Sequence, residues 1–387
     1  MPRLVPEHLQ RTALTVIAAT VCGALAGAIA GWTVSPAFYE EGSTKIVDKG
    51  PSPTSTTPAV TVIPVDRILQ PSLIPSPFAE RRSSSVASLY RREKGNRDGL
   101  LTEDQVIAQA VAVTSDGWFV VPATAIGTLR LADMLVWHDG VSATPTRAVL
   151  DRLSGVVFIK TDLSHANAPA FARTTDVTSG LAVWLERRAR RFEPSGIVGL
   201  FEPLASLDGV SSEASLRRGI LPGVAYAGDR GAPVWSSNGA LIGLVSSGAG
   251  EPLRYLPSSS WTGSLSSLLA NGEVRHALLG ARSVNVAWAH GDDSSRIPQG
   301  RGAWLREDIK GKKPAVDRIS PAATASLRAG DVIRQIDRDI MDESADLGEL
   351  LAGYYPASKV TLIVDRAGTT LEIPVELGSM VTSEELR

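Results

Sequence analysis

The sequence has 387 residues, 43% of them hydrophobic and 21% charged, with a formal net charge of −2. That length exceeds one ordinary domain and allows two sizeable cores, while the near-neutral balance argues against nucleic acid as a partner. A single cysteine, Cys22, excludes a disulfide framework and a cysteine-based metal site, and the sequence shows neither a cofactor fingerprint nor a metal-ligand cluster.

Residues 1–11 carry Arg3 and Arg11 and lead into Thr12 to Val34, an apolar run without a charge. The run predicts a transmembrane helix over 12–34. With arginines before it and Glu40 and Glu41 after it, the first residues are expected in the cytoplasm. The rest is then extracytoplasmic, on a single-pass protein of the cell membrane. A cleaved signal peptide is the alternative, because Ala28-Ile29-Ala30 has the small residues of a cleavage site. Residues 35–84 turn to Pro, Ser and Thr, as in PSPTSTTPAVTVIP, and read as an extended linker.

Over 85–272, short runs of Val, Ile, Leu and Trp are punctuated by Asp116-Gly117, Asp139-Gly140 and Asn238-Gly239. Asx-Gly between apolar runs signals hairpins, so this region is expected to be an antiparallel β-barrel or sandwich. One helical pattern, SWTGSLSSLLANG, closes it, with Gly272 as the stop. Over 277–378 the sequence offers about five strands and two short helices, one of them capped by Ser320 ahead of Pro321. That makes a small α+β unit, and 379–387 is left as a tail.

The order of parts, with ISPAATASLRAGDVIRQIDRDIMD in the last unit, resembles the HtrA family of trypsin-like serine proteases. The resemblance implies a mainly β fold: a trypsin-like double β-barrel, then an α+β PDZ domain, behind an N-terminal transmembrane helix. Ser115-Asp116-Gly117-Trp118-Phe119-Val120 resembles the hairpin before the family's catalytic histidine, and Asn238-Gly239-Ala240-Leu241-Ile242-Gly243 resembles the strand pair after its nucleophile. In that register Thr124 stands at the histidine, Gly155 at the aspartate and Arg230, in Gly228-Asp229-Arg230-Gly231-Ala232, at the serine. A triad needs a nucleophile, a base and an orienting carboxylate, so these three residues imply a pseudoprotease with no catalytic residues. Of the histidines His8, His138, His165, His276 and His290, His138 and His165 read as solvated loop residues rather than bases.

The PDZ resemblance implies capture of an extended C-terminal peptide, its carboxylate held by backbone N–H groups. Ala277, Leu278, Leu279, Gly280 and Ala281 are the expected loop, although the glycine falls fourth, after Leu279, where the family places it third. Leu350 and Leu351, on the second helix, are candidates for the groove wall, with core packing as the alternative. Phe78 and Tyr90 lie where the family uses aromatics to form trimers, which implies a homotrimer. The run Glu186-Arg187-Arg188-Ala189-Arg190-Arg191 reads as a solvated hairpin end. Together these imply an adaptor or sensor in envelope protein quality control that binds C-termini or unfolded peptides. An active serine endopeptidase in another register and a membrane-anchored scaffold remain as rivals.

Overall fold

The computed structural model describes residues 85–386 apart from 93–99, 164–166, 174–175, 202–209, 215–216, 290–296, 309–310 and 343–344. The expected transmembrane run, the linker and Phe78 lie outside the described residues, as do His8, His165 and His290. Among the described residues no helix is long and apolar enough to cross a membrane.

The first half-barrel contains β1 (Val86–Arg91), β2 (Val106–Ala112), β3 (Trp118–Pro122), β4 (Met134–His138), β5 (Val141–Ala143), β6 (Arg147–Asp151) and β7 (Val156–Lys160). The short helix α1 (Ala123–Ile126) follows β3 directly. The second contains β8 (Ala182–Arg187), β9 (Arg191–Gly196), β10 (Gly199–Phe201), β12 (Arg217–Val224), β13 (Pro233–Ser236), β14 (Leu241–Val245) and β15 (Pro252–Pro257), all antiparallel. One further strand, β11 (Val210–Ser211), leaves this sheet and is taken up below. The helix α2 (Thr262–Asn271) follows, and Gly272 ends it in the left-handed conformation.

Period-two alternation explains how the half-barrels meet. Phe119 and Val121 of β3 and Val157 and Ile159 of β7 point into the first core. Their neighbours Trp118, Val120, Val156 and Phe158 point the other way, into a core shared with Trp235, Leu241 and Trp261. Trp261 is fully buried and takes Phe171 edge-to-face at 5.4 Å. Each such aromatic contributes roughly 3 kcal/mol through burial. Strands buried on both faces in this way read as unbroken apolar runs.

The last unit holds β16 (Arg275–Leu278), β17 (Arg282–Asn285), β18 (Ala303–Leu305), β19 (Val332–Ile336), β20 (Asp339–Ile340), β21 (Lys359–Arg366), β22 (Thr369–Glu376) and β23 (Gly378–Val381). Its helices are α3 (Pro321–Thr324) and α4 (Leu347–Ala352). Ser320 caps α3 by accepting from the Ala323 N–H, and Asp346 caps α4 by accepting from the Glu349 N–H. The end of the chain is not a free tail. Strand β24 (Ser383–Glu385) pairs with β6 of the first half-barrel, and Arg147 and Arg152 bind Glu385 and Glu384.

Candidate functional sites at the interbarrel turn and the PDZ groove

At the interbarrel turn, hydrogen bonds link the segments that carry Thr124, Gly155 and Arg230. Gly155 has φ +73° and its carbonyl accepts from the Ala123 N–H, 2.8 Å, at the start of α1. The Thr124 hydroxyl donates to the Ser246 carbonyl at 3.1 Å. One residue earlier, the Val245 carbonyl accepts from the Gly231 N–H at 2.8 Å, and the Arg230 carbonyl accepts from the Gln109 N–H of β2. Gly231 has φ +79°, and a methyl there would lie 1.8 Å from the Gln109 carbonyl oxygen. The turn is therefore pressed onto β2 and tolerates only glycine.

Arg230 does not reach into solvent at a loop tip. It is half-buried, its Nε is buried without a hydrogen-bond partner among the described residues, and its guanidinium lies against Gly248. The adjacent Asp229 pairs with Arg187 rather than with Arg230, and also accepts from the Tyr226 N–H at 2.7 Å. Burial pushes the Asp229 carboxyl up despite these partners.

The charge run at the β8–β9 turn is only partly solvated: Arg190 and Arg191 are exposed as expected, whereas Glu186 is buried and Arg187 and Arg188 are half-buried. Arg187 binds Glu193 as well as Asp229, Arg188 donates to the Glu103 and Ala227 carbonyls, and Arg190 pairs with Asp139. Glu186 is buried and accepts from the Trp235 indole N–H at 2.8 Å. Desolvation outweighs that bond and pushes the Glu186 carboxyl up to about 7. The run staples the hairpin to the turn and to the first half-barrel, a placement that a count of charges along the sequence does not reveal. His138 is likewise buried, with Phe119 edge-on at 5.9 Å. Tyr90 is buried too, so it is no exposed aromatic for a trimer contact.

A second constellation was invisible in the sequence. His276 Nε2 lies 3.0 Å from Asp151 and 3.3 Å from Ser264. All three residues are buried. The residue types are those of a hydrolase, but the wiring is not. In a triad the histidine uses one nitrogen for the serine and the other for the aspartate. Here one nitrogen faces both, and the Ser264 hydroxyl donates to the Asp151 carboxylate at 2.7 Å. Asp151 also accepts from Ser154, the Leu153 N–H and Thr382. Burial opposes its ionisation, and the bonds from His276, Ser154 and Ser264 more than offset it, holding the carboxyl below the usual range. The cluster ties β6, α2, β16 and the chain end together.

At the PDZ groove the backbone N–H groups of Leu279, Gly280 and Ala281 converge. Gly280 has φ +75°, and a methyl there would lie 2.4 Å from the Ser320 Cβ. The expected segment divides at this point. Ala277 and Leu278 belong to β16 and pair with Ser379 and Gly378, whereas Leu279, Gly280 and Ala281 form the cradle. Leu351 lies in the domain core with Leu350 packed against it, and the helical residues facing the groove are Leu347 and Gly348.

Two half-barrels of trypsin type followed by a small sheet with a backbone cradle are the arrangement of the HtrA-type serine proteases, to which this chain is similar in sequence and fold. Residues 306–377 match the family model described as PDZ domain. A probable periplasmic serine endoprotease, DegP-like, of Bartonella henselae is 26% identical over 166 residues, 41% of this chain and 31% of that protein. The periplasmic pH-dependent serine endoprotease DegQ of Escherichia coli is 26% identical over 180 residues, 45% and 36% of the two chains. The chain thus spans about a third of the length of the curated relatives it matches. Among solved structures, the HtrA-type protease AlgW with a decapeptide superposes with a TM-score of 0.53 at 17% identity, covering 78% of this chain and 98% of that one.

Proposed function

We propose that this chain is a membrane-anchored pseudoprotease that binds C-terminal or unfolded peptides as an adaptor or sensor in the cell envelope. The observation that carries the reading is the residue set at the interbarrel turn. On this reading Thr124, Gly155 and Arg230 stand at the three triad positions, and they supply no activated nucleophile, no base near neutral pH and no orienting carboxylate. The described histidines do not repair this: His138 packs on Phe119, and His276 is committed to Asp151 far along the chain. Support for binding comes from the PDZ match and the backbone cradle. Support for an anchor is the uncharged apolar run from Thr12 to Val34, and the periplasmic relatives agree with an extracytoplasmic location.

The relatives are serine endoproteases, which favours a working endopeptidase as the second reading. Incubating the purified chain with unfolded casein and a fluorophosphonate probe separates the two. The pseudoprotease reading expects no fragments and no mass shift. Labelling that disappears when one serine is replaced would restore the enzyme.

A further inference from the structure

The cradle in the PDZ domain is not vacant: the chain fills it with a piece of itself. Strand β11 (Val210–Ser211) comes from the connection between β10 and β12 of the second half-barrel, yet it pairs with β17, Val210 opposite Ser283 and Ser211 opposite Arg282. Pairing is antiparallel, and the chain runs toward the cradle. The Ser212 N–H donates to the Ala281 carbonyl at 2.9 Å, extending the ladder by one rung. Glu213 then turns its carboxylate into the cradle. Its Oε1 accepts from the Leu279 and Gly280 N–H groups at 3.0 and 2.9 Å, while the Ser212 hydroxyl oxygen accepts from the Ala281 N–H at 3.0 Å.

Hydroxyls of Ser211 and Ser212 donate to the same carboxylate, Ser212 to Oε1 and Ser211 to Oε2. Ser212 and Glu213 are both buried. Between Val210 and Ser211 on one side and Leu347 and Gly348 of α4 on the other, a cavity of about 20 Å³ remains, room for a water but not for a second strand.

An added antiparallel strand ending in a carboxylate held by backbone N–H groups is the form in which a C-terminal peptide is captured; here the Glu213 carboxylate takes two of the three N–H groups and the Ser212 hydroxyl takes the third. We propose that Val210–Glu213 is a built-in competitor for the peptide groove, with the Glu213 side chain standing in for a terminal carboxylate. This rests on the peptide-binding reading above and adds to it that the groove is closed until the internal strand leaves. An external ligand must then present a free α-carboxylate behind an extended strand. It gains only the difference between its own contacts and those of the internal strand, because the internal one is tethered and competes at high effective concentration.

The test compares the full chain with Glu213→Lys, which places a cation before the N–H groups, and with Ser212→Pro, which removes the donor to Ala281. Amide hydrogen exchange over residues 279–285, read by mass spectrometry, reports on the internal strand without any ligand. Faster exchange there in both variants, with the sheet of β19, β21 and β22 unchanged, is the expected result. Equal exchange in wild type and variants overturns internal occupancy, whatever peptides do. A fluorescein-labelled peptide ending in Val-Ser-Ser with a free α-carboxylate is then titrated against its C-terminal amide. The expected result is at least tenfold tighter binding of the acid form to the variants than to wild type. Faster exchange without any carboxylate-dependent binding would leave the internal strand standing and sink the capture of external peptides.

Discussion

Gly231 and Gly280 both sit at positive φ with neighbouring chain pressed against the missing side chain, Gln109 in one case and Ser320 in the other. The two turns differ in what their chemistry is made of. At Gly231 any nucleophilic chemistry belongs to side chains, and three residues there, Thr124, Gly155 and Arg230, decide it. At Gly280 the chemistry belongs to three backbone N–H groups, which every residue except proline supplies. A side-chain site is erased by point changes that leave the fold alone, whereas a backbone site persists as long as the chain path persists. On the proposed reading, the same sequence combines a turn without triad residues and a cradle that grips a carboxylate.

The sharpest way to break this comparison is to attack the paths themselves. Gly231→Ala is expected to cost about 3–5 kcal/mol, because a methyl would meet a main-chain oxygen at 1.8 Å in a left-handed conformation. Gly280→Ala is expected to cost less, about 2–3 kcal/mol, because the methyl would meet the Ser320 Cβ at 2.4 Å, an atom that moves only with its backbone, rather than a main-chain oxygen at 1.8 Å. Urea denaturation midpoints of the two variants check the order. Equal costs would mean that the interbarrel turn is held less firmly than its hydrogen bonds to Gln109 and Val245 imply.

The same division governs what was legible in the sequence. Hairpin turns announce themselves, because Asp139-Gly140 needs two residues with positive φ and few pairs of residues adopt that conformation well. Ser320-Pro321 likewise marks a helix start by local chemistry alone. The Arg187–Arg191 run misled because charge along a strand end says nothing about carboxylates and carbonyls that folding brings to it from residues 103, 139 and 229. The contacts among Asp151, Ser264 and His276 span up to 125 residues, and neither periodicity nor motif encodes such a distance. Glu213 follows Val-Ser-Ser, a weak strand with a carboxylate at its end. Only the cradle it occupies gives that tetrapeptide a meaning.

A smaller effect comes from the buried side chain next to the turn. Glu186 has its carboxyl raised to about 7 by burial, so between roughly pH 4.5 and 7 the folded chain holds a proton that the unfolded chain has released. Stability therefore falls as pH rises through that window and levels off above it. At pH 8 the ionised group is a net cost of up to roughly 3 kcal/mol relative to pH 4. Glu186→Gln keeps an acceptor for Trp235 and is expected to flatten the slope, leaving a variant more stable than wild type at pH 8. A slope unchanged by the substitution would mean that Arg190 or water keeps Glu186 ionised at little cost.

The smallest expected effect is the most discriminating for function. Arg230→Ser puts a hydroxyl at the apex of the interbarrel turn and removes a guanidinium whose Nε has no partner among the described residues. Deleting an unsatisfied buried donor offsets the packing lost against Gly248, so stability is expected to change by no more than about 0.5 kcal/mol. The pseudoprotease reading expects no activity in the variant. A serine hydroxyl needs a base to take its proton, and the nearest candidate position holds Thr124, whose own hydroxyl is spent on the Ser246 carbonyl. Fluorophosphonate labelling of the variant reads this directly. If Arg230→Ser alone becomes labelled, a base already stands within reach of the turn, and the chain is one substitution from an enzyme rather than three. Should only the combination with Thr124→His become labelled, the turn geometry has outlived its chemistry. Gly155 would then be the position that restrains the rate, because it offers no carboxylate to orient the introduced imidazole.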